Sequence, residues 1–181
     1  MCFDRIKNMP YHQTVTDILE LLSKNGYWFE TFEHEPVVTS EEAAKLRHGY
    51  SISQGAKAII VKIKGLDRHD RQGGLAMTPK PEFVMLVLPG DKKFSGSKVK
   101  KLLGVRELRF ATPAEISELT GGIQIGGIPP FGNLFGIKVF VEKTLLDNEK
   151  IIFNAGDRRF SIAMESKDYL EIVEPIVKEI I

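Results

Sequence analysis

Cysteine is nearly missing from this 181-residue chain. Its one representative, Cys2, has no intramolecular partner, so neither a disulfide framework nor a CxxC metal or redox motif can form. No apolar run reaches the roughly 18 residues of a membrane-spanning helix, and the opening MCFDRIKNMPYHQ lacks the apolar stretch and small-residue cleavage site of a secretory signal. A soluble, cytoplasmic protein is expected. An excess of charge of one sign is absent too: 25 Lys and Arg stand against 24 Asp and Glu, a formal net charge of +1, which excludes a protein that coats nucleic acid by bulk charge. His12, His34, His48 and His69 show no HxxxH or HExxH spacing, so no metal site is expected. Neither GxGxxG, GxxxxGK[ST] nor GxSxG occurs, which removes kinases, nucleotidases and serine esterases with a nucleophile elbow. No cofactor is expected.

What is present is a 43% hydrophobic composition, enough for one ordinary domain with a buried core. Helical and strand-like periods alternate without a long linker or repeat, which reads as an α/β or α+β domain over 14–181 behind an N-terminal extension, 1–13. Val15, Ile18, Leu19 and Leu22 mark a helix over 14–25, with Thr14 placed to cap it and Gly26 to stop it. An aromatic strand, Tyr27 to Phe32, follows. Thr39 and Glu42 form a capping box for a second helix that ends near Gly49, and Thr112, Pro113 and Glu115 open another that ends at Gly121. Residues 56–63 and 83–88 are the strongest strands, the second apolar on both faces as a central strand is. The polar stretch between them, 65–82, reads as an exposed connection. Lys98 to Leu103 reads as a basic helix, with strands over 137–141, 151–153 and 160–164. Ser166 is placed to cap a last helix that Pro175 kinks or ends.

Three features could carry chemistry. The period-2 rule puts Lys57 on the face of Ile59, Val61 and Ile63, opposite Lys62 and Lys64. An inward ammonium calls for an anionic partner unless it snorkels to water at the sheet edge. The stretch from Gly121 to Gly136, GGIQIGGIPPFGNLFG, holds six glycines and two prolines. It is a shaped loop, either a structural crossover or a set of fixed backbone N–H donors suited to an oxyanion. His34 ends the aromatic strand ahead of Glu35-Pro36, where it is either a hydrogen-bonded structural residue or a ligand-facing one. His12, His48 and His69 read as solvent-exposed.

The ordered segments HEPVVTSEEAA (34–44), GAKAIIVKIKG (55–65), FVMLVLPGDKKFSGSKVKKLLG (83–104), RFATPAEISELTGGIQIGGIPPFG (109–132) and FNAGDRRFSIAMESKDYLEIVEP (153–175) resemble the YbaK-type aminoacyl-tRNA deacylases, relatives of the editing domain of prolyl-tRNA synthetases. The resemblance runs from about Val15 to Pro175. It implies a central mixed, largely antiparallel twisted β-sheet flanked by helices. It also implies trans-editing hydrolysis of the ester that joins a small wrong amino acid to the 3′ end of a tRNA, tRNA-Pro in the first place, without metal or cofactor. Lys57 matches the family lysine, thought to hold the substrate near the terminal phosphate. Gly126 and Pro130 match the ends of its G-x-x-x-P loop, with Gly127 and Ile128 inside it. His34, Asn154, Gly156 and Ser161 fall near the substrate pocket, Ser161 across a one-residue alignment gap. The tRNA 3′ acceptor end is the implied partner, with prolyl-tRNA synthetase a possible second; DNA and membranes are not. A non-catalytic module that binds the acceptor end or a synthetase is the competing reading. Residues 45–109 hold 15 Lys and Arg against 5 Asp and Glu, so the near-neutral total conceals a basic half that could face tRNA.

Overall fold

The strand Phe83–Pro89 is buried along almost its whole length, as its unbroken apolar run requires. Around it the computed structural model describes residues 10–66 and 82–181. The order is α1 (Gln13–Lys24), β1 (Phe29–Glu33), α2 (Ser40–Leu46), β2 (Ala56–Leu66), β3 (Phe83–Pro89), α3 (Gly96–Leu103), β4 (Val105–Phe110) and α4 (Pro113–Thr120). Then come β5 (Lys138–Glu142), β6 (Lys150–Asp157), β7 (Phe160–Glu165), α5 (Ser166–Val173) and β8 (Ile176–Lys178).

The mixed, largely antiparallel architecture expected from the sequence is present, divided between two sheets. One has the order β4-β2-β3-β5-β8, the other β1-β7-β6. β2 pairs antiparallel with β3 and β4, β5 pairs parallel with β3 and β8, and the smaller sheet is antiparallel throughout. Alternation along β3 divides the core: Met85 and Val87 enter a cluster shared with α1, the smaller sheet and α5. Val84, Leu86 and Leu88 enter a second cluster with Val61, Ile63, Val99 and Val105. β2 alternates likewise, Ala56 and Ile60 facing the first cluster and Val61 and Ile63 the second. Among the described residues one parallel bridge, Gly55 to Ile152, joins the sheets.

Both capping boxes form as read: Thr39 with Glu42 starts α2, and Thr112 with Glu115 starts α4. Two caps differ. Helix α1 is capped by His12, whose ring accepts from the Thr14 N–H, while Thr14 is buried. His12 is thus half-buried rather than solvent-exposed, its other ring nitrogen meeting the Gly121 carbonyl at 3.0 Å. Helix α5 starts from Glu165, and the Ser166 hydroxyl instead donates to the Asn148 carbonyl at 2.6 Å. Its end agrees with Pro175, since the chain turns out through Glu174 at φ 47°. Strands β4 and β8 were not evident in the sequence: both flank their sheet, and β8 is exposed throughout, so neither shows the apolar run of a central strand. Residues 65 and 66 extend β2; the rest of the expected 65–82 connection, apart from Glu82, lies outside the described residues, as do Cys2, His69 and residues 1–9 of the N-terminal extension. Among the described residues no helix is long and apolar enough to cross a membrane.

Candidate functional site

A cavity of about 270 Å³ opens where the two sheets meet. The start of β2 supplies one wall through Gly55, Ala56, Lys57 and Ala58; α2 and its approach supply another, from Val38 to Arg47; Gly126 and Ile128 of the glycine-rich loop and Asn154 of β6 close it. The capping box places α2, because the Glu42 carboxylate takes the N–H groups of Val38 and Thr39. Backbone bonds from His34 to Arg159 and from Val37 to Arg158 tie the approach to the turn between β6 and β7.

Lys57 is half-buried, and its ammonium donates to the carbonyls of Lys92 at 2.6 Å and Gly90 at 3.1 Å. Both acceptors are neutral. Burial pushes the ammonium below its ordinary range, against the pull of Glu41 and Asp91. An ammonium has three donors, and Lys57 commits two of them within the protein.

Behind the cavity lies a chain of hydrogen bonds that the sequence disclosed only in part. Asn154 and Ser161 are cross-strand partners in the β6–β7 hairpin, which brings the Ser161 hydroxyl within 2.9 Å of Asn154 Oδ1. Arg47 donates through Nη2 to the same Oδ1 at 2.7 Å and through Nε to Ser161 Oγ at 3.1 Å. The Asn154 amide then donates to the Gly126 carbonyl. This arrangement fixes the amide orientation, since Arg47 can only donate and a carbonyl can only accept. His34 Nε2 lies 2.7 Å from Ser161 Oγ and its Nδ1 2.8 Å from the Glu35 carbonyl. Nδ1 therefore carries the proton. Burial lowers the His34 pKa and the nearby Arg47 charge adds to this, while the Glu35 carbonyl opposes it. In the neutral ring Nε2 is an acceptor, so one Ser161 proton serves both His34 and Asn154.

The structure thus brings Lys57, Gly126, Ile128 and Asn154 to one cavity, with Ser161 and His34 one and two hydrogen bonds further back. Ser161 is 0% exposed, which makes the Ser161–His34 pair a support for the wall and not a nucleophile in reach of a ligand. Three residues face elsewhere. Gly127 and Gly156 line an adjoining depression with His12, Pro36 and Arg158. The Gly127 N–H is committed to the Gln124 carbonyl at 2.9 Å, and its carbonyl takes the Gly156 N–H at 2.8 Å. Gly156, at φ 108°, passes so close to α1 that a Cβ there would lie 2.9 Å from that of Thr14. Pro130 is buried behind the loop, its carbonyl accepting from the Tyr169 hydroxyl at 2.9 Å. Gly126 is demanded by φ 89° and by the Val38 carbonyl, 3.0 Å from where a Cβ would be. The N–H groups of Gly126 and Ile128 make no hydrogen bond to any described residue, and both residues line the cavity. They are the cavity-lining residues of the loop with uncommitted N–H groups.

Arg47 was not singled out from the sequence. Its signal was there: it follows the buried Ala43 by four residues and so shares its inward helical face. Arg47 as a residue is 6% exposed, with no carboxylate bonded to its guanidinium, and burial lowers its pKa to about 10, which leaves it charged at neutral pH. Among the described residues no group of three His, Cys, Asp or Glu is placed to hold a metal ion.

A cavity bordered by Lys57 and by a loop that carries two uncommitted backbone N–H groups suits an acyl ester next to a phosphate. Comparison with known proteins gives the family. The profile of the Aminoacyl-tRNA editing domain family matches residues 34–172. The chain belongs to this family. The Multifunctional Ser/Thr-tRNA deacylase ProXp-y of Escherichia coli (strain K12) is 32% identical over 161 residues, 87% of each chain. A Proline--tRNA ligase of Ralstonia nicotianae is 26% identical over 130 residues, which are 72% of this chain and 21% of the ligase. Among solved structures, one described as a candidate trans-editing enzyme for prolyl tRNA synthetase superposes with a TM-score of 0.74 at 21% identity, covering 94% of this chain and 98% of its own. It shares the fold. As an editing domain, this chain is an aminoacyl-tRNA deacylase with its cavity at the junction of two sheets.

Proposed function

We propose that the cavity receives the aminoacyl group at the 3′ end of a mischarged tRNA and that the protein works in trans, as a free-standing deacylase. The observation that supports this reading most is the presence of Lys57 and the unbonded Gly126 and Ile128 N–H groups around one space. At about 270 Å³ that space holds a small aminoacyl group with room to spare, and the terminal adenosine and its phosphate lie at its open side, beside Lys57. The ester carbonyl points at the loop donors. Water attacks the carbonyl carbon; the negative charge that develops on its oxygen is met by the two N–H groups; the bond to the ribose oxygen then breaks, that oxygen takes a proton, and the free amino acid and a tRNA with an intact ribose hydroxyl leave. No protein nucleophile is required, because an aminoacyl ester is reactive and the neighbouring ribose hydroxyl helps to orient the water. Exclusion of the cognate amino acid is steric. tRNA-Pro is the proposed tRNA and prolyl-tRNA synthetase the proposed protein partner, following the names of the relatives.

Release of labelled amino acid from Ala-, Cys-, Ser- and Thr-charged tRNA-Pro tests this directly. The expected result is turnover of at least one, unaffected by EDTA, with kcat/KM reduced about 10- to 100-fold in Lys57→Ala. Binding without turnover of any would replace the enzyme with an acceptor-end binding module, and full activity in Lys57→Ala would remove the lysine from its role.

A further inference from the structure

The floor of the cavity holds a cation whose hydrogen-bonding capacity the fold leaves unfilled. Arg47 uses Nε on Ser161 and Nη2 on Asn154, both neutral acceptors. Nη1, with two of the five guanidinium donors, bonds to no described residue. Among the described residues every fully buried side-chain nitrogen and oxygen has a partner. Nη1 is therefore not sealed in protein, and the space it meets is the cavity that Arg47 lines. It lies beside Gly55, 3.9 Å from where a Cβ there would stand. The lining includes Ala43, Ala44, Gly55 and Ala56, which offer no side-chain acceptor; Thr39, Ser40, Glu41 and Ser51 also line the cavity, and none of them is bonded to Nη1.

We propose that Arg47 is a specificity-determining residue: Nη1 donates to an acceptor on the side chain of the aminoacyl group, so that hydroxylated aminoacyl esters are cleaved in preference to apolar ones of the same size. This rests on the deacylase reading above and names the group that makes its choice. A cavity that works by size alone separates serine from alanine, or threonine from valine, poorly. A charged donor at the floor changes the comparison. An apolar side chain strips water from Nη1 and offers nothing in return, whereas a hydroxyl replaces that water. Asn154 and Ser161 hold the guanidinium from its other edge, so the donor is positioned before the substrate arrives.

The test is kcat/KM on one tRNA charged in turn with Ser, Ala, Thr and Val, for wild type and Arg47→Met. Wild type is expected to favour Ser over Ala, and Thr over Val, by about 10- to 100-fold. Arg47→Met should bring both ratios to within about threefold of unity, with a cooperative thermal unfolding transition showing that the variant is folded. Equal loss on all four substrates would mean that Arg47 only supports the wall, and wild-type ratios near unity would overturn the assignment while the deacylase reading stands. Absence of turnover on all four would take down both. Should Arg47→Met be insoluble, uncleavable 3′-amide analogues decide on wild type: the seryl analogue must bind about tenfold more tightly than the alanyl one, and equal binding overturns the proposal.

Discussion

The residues around this cavity are arranged so that little of their hydrogen-bonding capacity is spare except where a ligand would use it. His34 shows the cost of that economy. Its ring is held neutral by burial and by the Arg47 charge, with Nε2 committed as an acceptor from Ser161. The unfolded chain carries an ordinary histidine that gains a proton near pH 6.5, while the native one resists it. Below that pH the unfolded state binds more protons, so stability falls as pH drops. Thermal unfolding between pH 7.5 and 5.5 should show a falling Tm with a component that vanishes in His34→Gln; an unchanged slope in the variant would place the titration elsewhere. Alternation along β2 put Lys57 on the face of Ile59, Val61 and Ile63 but left open whether it snorkels at the sheet edge; that it borders the cavity depends on how the two sheets meet. Gly127 was not legible, because the choice between facing a ligand and bonding Gln124 is made by the conformation of the loop and not by composition.

At the scale of elements, two helices offer the same cap chemistry in different positions. Thr39 and Thr112 each accept the N–H three residues on within a capping box, and loss of either hydroxyl costs about 1 kcal/mol. Only α2 borders the cavity. Thr112→Ala should therefore lower stability in urea unfolding and leave deacylation intact, whereas Thr39→Ala should lower both, since it releases the segment that carries Arg47. Equal effects on activity would show that the α2 cap does not position the site. Such boxes were readable because their signature spans four residues. Strands β4 and β8 were not, since an edge strand is specified by the neighbour it pairs with. The division into two sheets was likewise hidden, because it depends on which strands pair and not on where they lie in the chain.

Over the whole molecule, the near-neutral charge resolves into unlike parts. Residues 45–66 and 82–109 hold 12 Lys and Arg against 3 Asp and Glu, and they carry the end of α2, all of β2, β3 and α3, and β4 up to Arg109. Lys64 and Lys100, both exposed, line a groove with Lys62 and Arg109. If phosphates lie there, tRNA affinity falls as salt rises, and Lys64→Gln with Lys100→Gln should lessen the slope of log affinity against log salt by about 1.5 to 2 while kcat holds. An unaltered slope would put the tRNA backbone on another face. The cavity itself is drawn from distant parts of the chain: Arg47 and Lys57 come early, Gly126 and Ile128 later, and Asn154 and Ser161 from a hairpin near the end, all meeting at the Gly55–Ile152 bridge. During synthesis, then, a ribosome must deliver the β6–β7 hairpin before any pocket exists. Chains cut short ahead of it lack Asn154 and Ser161, the acceptors that hold Arg47, so the cavity is completed only by the last third of the protein.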